Sequence, residues 1–146
     1  MYKKNLIYRF LIFIFFILSF EIVNGENSSY VVLKINNEIV TNIDILNEKK
    51  YLLAINPNLQ KLDQAKMIEV AKQSLIRELI KRNELSKYSN VDIYTNYLSN
   101  ILKDFYTKLN FQDIESLENY FLSKGLEIKI VKDKLNIEAL WNELIF

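Results

Sequence analysis

Residues 30–44 read Tyr-Val-Val-Leu-Lys-Ile-Asn-Asn-Glu-Ile-Val-Thr-Asn-Ile-Asp. Val31, Val32, Leu33 and Ile35 make an apolar, mostly β-branched run. Asn36-Asn37 is a two-residue turn signal, because Asn tolerates the positive φ of a tight primed turn. Glu38-Ile39-Val40 then resumes the extended pattern, so the stretch predicts a short hairpin. Thr41 is placed to cap a helix, with Asp44 three residues on as a shorter relative of the capping-box acid. A hairpin this small is marginal alone and must pack on the remainder of the chain. Beyond Thr41 that remainder is helical in pattern.

The spacing predicts a first helix over 42–55, with Ile43, Leu46 and Leu53 at helical intervals. Pro57 ends it, because the residue before a proline avoids the helical region. The longest helix is expected over 64–88, capped by Asp63. Ile68, Ala71, Leu75 and Leu79 share one face of it, Ile76 and Ile80 widen that face, and Lys66, Glu69, Gln73, Arg77 and Glu84 lie opposite. Strict heptads are not sustained, so it reads as the central helix of a small bundle, not as a coiled-coil strand. Ser89-Asn90 breaks the pattern. A third helix is expected over 92–109, with Tyr94, Leu98, Ile101, Phe105 and Leu109 as its core stripe. A fourth over 113–124 stops at Gly125, the usual left-handed residue past a helix end, and a fifth begins near Glu127. The expected fold is mostly α: a bundle of about five helices behind a short N-terminal β-hairpin.

Upstream of the hairpin, residues 1–25 read as a secretory signal peptide. Lys3, Lys4 and Arg9 form its positive region and Phe10 to Phe20 its apolar stretch, with Val23-Asn24-Gly25 before the expected cut. The apolar run is shorter than the roughly 20 residues of a spanning helix. Export to the periplasm is therefore expected, the alternative being an inner-membrane anchor formed by the uncleaved segment. Without any Cys, a lipid anchor at a cysteine after the signal is excluded, and no disulfide staples residues 26–146. Removing the signal takes three of the 19 basic and one of the 18 acidic residues, leaving 16 against 17. That near-neutral balance does not suggest a nucleic-acid surface.

Catalysis finds little support. The chain has no His and no Cys, which removes His-based general bases, Cys nucleophiles and nearly all zinc constellations. Gly25 and Gly125 are the only glycines, so no phosphate-cradling loop is available. Carboxylate pairs such as Glu115 and Glu118 read as solvated helix surface. No cofactor or metal is expected.

Three features together carry a resemblance: the hairpin with its Thr-x-x-Asp helix start, the long helix containing Ala-Lys-Gln-Ser-Leu-Ile-Arg-Glu-Leu-Ile-Lys-Arg-Asn-Glu-Leu, and the stretch from Phe111 to Ile128 with its glycine stop. Their order resembles the N-terminal domain of SurA-type periplasmic chaperones. The resemblance implies an ATP-independent chaperone domain that binds unfolded outer-membrane proteins and assists their assembly. Family members that are also prolyl isomerases carry parvulin modules whose sites use His, so such a module would lie outside this chain. The alternative is thus the non-catalytic N-terminal half of a parvulin-type isomerase. Clients rich in aromatic residues call for an adaptable, partly apolar groove, for which Tyr97, Tyr106, Tyr120 and Phe121 are candidates. The competing expectation is that these rings merely flank the core.

The fifth helix holds a phase break. Ile128, Val131 and Leu135 share one face, whereas Ile137, Leu140, Trp141 and Leu144 point roughly 180° away at 100° per residue. One small core cannot take both stripes. Either the helix bends near Asn136, or Trp141 and Leu144 meet a bound client or a further C-terminal module. Trp141 and Leu144 therefore join the candidate client-binding residues.

Overall fold

A computed structural model describes residues 28–35 and 38–146. The signal segment and the Asn36-Asn37 turn lie outside the described residues. Strands β1 (Val31–Ile35) and β2 (Glu38–Thr41) pair antiparallel, with Ile35 opposite Glu38 and Leu33 opposite Val40. The register shifts between Val31 and Leu33, an irregularity that turns Val32 toward the helices. Five α-helices come next among the described residues: α1 (Asn42–Ile55), α2 (Gln64–Leu85), α3 (Leu98–Lys108), α4 (Ile114–Ser123) and α5 (Ile128–Ile145). A 3-10 helix (Pro57–Lys61) links the first two. No helix among the described residues is long and apolar enough to cross a membrane.

Local signals set most boundaries. Both arms of the capping box form at Thr41: its Oγ1 accepts from the Asp44 N–H at 3.2 Å, and its own N–H donates to Asp44 Oδ2 at 2.7 Å. Asp63 Oδ1 accepts from the Lys66 N–H, and Asp113 Oδ1 from the Ser116 N–H, each at 2.8 Å. Helix α4 ends in a Schellman motif. Gly125 takes φ +71°, its N–H reaches the Leu122 carbonyl, and the Leu126 N–H reaches that of Phe121. Asn110, at φ 65°, closes α3 in the same way, with the Phe111 N–H on the Tyr106 carbonyl.

Two boundaries differ from the sequence expectation. Helix α2 stops at Leu85, not 88, and α3 starts at Leu98, not 92. A distant residue explains the intervening loop. Asn136 of α5 is buried, donates through Nδ2 to the Val91 and Ile93 carbonyls at 3.1 and 3.2 Å, and accepts from the Thr95 N–H at 3.0 Å. Those three bonds satisfy backbone groups that a helix would otherwise have paired. Tyr94, expected in a core stripe, is exposed and donates its hydroxyl to Asp133 at 2.7 Å.

The core forms two clusters. Val40, Ile45 and Ala71 gather Val32, Leu33, Ile68, Leu75 and Leu79 where the hairpin meets α1 and α2. Tyr51, Ala54, Leu117, Phe121, Leu126 and Val131 form the larger cluster among α1, α4 and α5. Ile80, expected to widen the α2 core face, is exposed. Helix α5 is continuous, and the phase break is resolved by packing on both sides. It contacts α4 on one flank and α2 and α3 on others, so Val131 and Ile137 are both buried although they lie about 120° apart around the helix.

Candidate functional site

The six residues nominated from sequence separate into two groups. Phe121 is wholly buried, stacked with Tyr51 and Phe105 at centroid distances of 6.2 and 6.4 Å, and so offers no surface. Tyr106 and Tyr120 are partly buried against the same cluster. Tyr120 is tied inward, its hydroxyl donating to the Ala54 carbonyl at 2.9 Å and its ring 5.0 Å from Phe111. These three rings belong to the core and its flank. The other three lie near the C-terminal turns of α5. Tyr97 is exposed and donates its hydroxyl to Glu143 at 2.6 Å, next in sequence to the exposed Leu144. Trp141 is half-buried, with Lys81 Nζ 5.9 Å from its ring centroid.

Two cavities on the α1–α2 pair were not apparent from sequence. One, of about 210 Å³, is lined by Glu48, Tyr51, Ser74, Arg77, Glu78, Lys81, Lys134, Leu135 and Glu138. At its inner wall Glu48 is only 2 % exposed, and Lys134 Nζ lies 2.6 Å from its Oε2 as an ion pair. Glu78 pairs with the same ammonium. Glu48 Oε1 has no hydrogen-bond partner among the described residues. Burial by itself would lower the Lys134 pKa, but the charges of Glu78 and Glu48 outweigh it and hold the group above the usual lysine value. Burial, aided by Glu48, Glu78 and Glu138, raises the Tyr51 pKa far above the normal phenol range. Lys134 also sits 5.0 Å over the Tyr51 ring. The cluster is balanced in sign, three carboxylates against three cations, and knits α1, α2 and α5 together.

The second cavity is a groove of about 330 Å³ on the other side of the same helix pair. Helix α1 contributes Asn42, Ile45, Leu46 and Lys49, and α2 contributes Gln64, Ile68 and Lys72. Tyr30 and Val32 close one end. Asn42 anchors that end by accepting from the Tyr30 N–H at 2.8 Å and donating to the Ser28 carbonyl at 3.2 Å. The lining is mostly apolar, with two amides, two lysines and no carboxylate. Leu46 and Tyr30 are 44 % and 62 % exposed, so the apolar surface is open. The sequence signal for the groove was present, since Leu46 and Ile68 stand in the periodic stripes, but nothing local marks which stripe stays uncovered. Neither a protein-family model, nor a curated protein, nor a solved structure matches this chain.

Proposed function

We propose that this chain is a periplasmic, ATP-independent chaperone domain that binds unfolded outer-membrane proteins through apolar contacts and without covalent chemistry. The observation that carries this reading is the open apolar groove between α1 and α2, with large side chains left in contact with water. Exposed apolar surface of this kind marks interaction sites. A second apolar area, around Tyr97, Leu144 and Ile145, offers further contact to an extended client. The element order of hairpin, capped helix, long helix, two shorter helices and long closing helix is the order implied by the SurA resemblance, and it supports the same reading. With neither His nor Cys in the chain, binding rather than bond-making is the chemistry its residues suit.

An aggregation assay tests this directly. An outer-membrane barrel protein diluted from urea should scatter less light in the presence of excess purified chain, with no nucleotide added. Scattering equal to that of a buffer control overturns the chaperone reading. The same preparation should leave the slow cis–trans isomerisation of a proline tetrapeptide, tens to hundreds of seconds uncatalysed, unaccelerated.

A further inference from the structure

We propose that the α1–α2 groove selects client segments in which bulky apolar side chains stand beside a carboxylate. This inference rests on the chaperone reading and narrows its client class. The groove's floor and end are Ile45, Leu46, Ile68, Val32 and Tyr30, which favour aliphatic or aromatic side chains. Its only charged lining residues are Lys49 and Lys72. Neither lysine is ion-paired with a described residue, whereas most lysines on the α2–α5 side are paired. A carboxylate entering the groove therefore meets two cations and no competing acid. A lysine or arginine there meets like charge with nothing to offset it.

Length points to a short stretch of polypeptide. From Asn42 to Lys49 the α1 wall rises about 10 Å at 1.5 Å per residue, the reach of about three extended residues. A cavity of about 330 Å³ lies at the small end of the roughly 300–1,000 Å³ typical of ligand sites, room for a few side chains and no folded element. Gln64, exposed at the rim, supplies an amide to a passing backbone.

Two fluorescein-labelled decapeptides test the assignment, one alternating Phe or Leu with Glu, the other identical but with Lys in place of Glu. In anisotropy titrations the acidic peptide should bind the purified chain about tenfold more tightly, and added salt should shrink the difference. The double reversal Lys49→Glu with Lys72→Glu should invert the preference. Leu46→Ser should weaken both peptides, and circular dichroism should show unchanged helix content for every variant. Equal affinity of the two peptides, absence of binding, or a preference that survives charge reversal overturns the proposal. If aggregation is suppressed but no charge preference appears, the groove assignment fails and the chaperone reading stands. A preference that inverts as expected in a chain that suppresses no aggregation preserves the groove and overturns the chaperone reading.

Discussion

The two faces of the α1–α2 helix pair invert the usual rule. The face centred on Glu48 and Glu78 carries charge and is covered by α5, with Glu48 buried, while the groove face leaves Leu46 and Tyr30 open to water. On α1 the two sets, Glu48 with Tyr51 and Asn42 with Leu46 and Lys49, lie on nearly opposite sides at 100° per residue. Composition alone would have closed the second and left the first in water. The difference lies in α5, which reaches back across the charged face and places Lys134 between the two carboxylates. A face is covered when a partner element is supplied for it, and no described element covers the groove. The covered face ties three helices together, and the open one is the surface proposed above for binding.

The largest effect should come from removing the cation at the centre of the covered face. Lys134→Met leaves Glu48 charged in a buried place and should cost about 3–5 kcal/mol in urea unfolding. Pairing it with Glu48→Leu should restore much of that loss, since an apolar pair of similar volume tolerates burial. Alkali probes the same cluster. Lys134 and Tyr51 both titrate higher in the folded chain than in the unfolded one. Their contribution is complete below the unfolded values, near about pH 10, and is lost as pH rises through the folded ones. The urea midpoint should therefore fall at strongly alkaline pH; a midpoint that holds or rises there contradicts the assigned environment.

A smaller loss is expected at Asn136. Truncation to Ala strips partners from the Val91 and Ile93 carbonyls and the Thr95 N–H and should cost about 1–3 kcal/mol. Faster amide exchange in residues 86–97, with α3 retained, would mark the loop as its target. Thr41→Ala removes the side-chain arm of the capping box and should cost about 1 kcal/mol. Leu46→Ser, on the open face, should change stability by no more than about 0.5 kcal/mol while weakening client binding. A large loss of stability there would mean that Leu46 itself is held in the core beside Ile45 and Ile68.

Legibility in the sequence tracks the range of the interaction. Thr41 with Asp44, Pro57, Asp63 and Gly125 act within a few residues, and each marks its boundary as expected. Much of the 86–97 loop reads as helix in sequence because its backbone partner, Asn136, lies more than 40 residues away. Glu48 gives no sign of being interior for the same reason: only Lys134, contributed by the last helix, makes its burial tolerable. Of the nominated aromatic residues, Phe121, Tyr106 and Tyr120 proved to belong to the core or its flank, and the open groove lay largely in unremarkable aliphatic positions. Amphipathic patterning shows that a face is apolar; it does not show whether a later helix will cover it.

Hydrogen–deuterium exchange of the purified chain, with and without an unfolded outer-membrane barrel protein, tests the central claim most directly. Bound client should slow exchange in residues 42–49 and 64–72, the two walls of the groove, and leave the buried Glu48–Lys134 cluster without local change beyond its α1 neighbours. Unchanged exchange along both walls, or protection confined to the last turns of α5, would contradict the assignment of the open α1–α2 face as the client site.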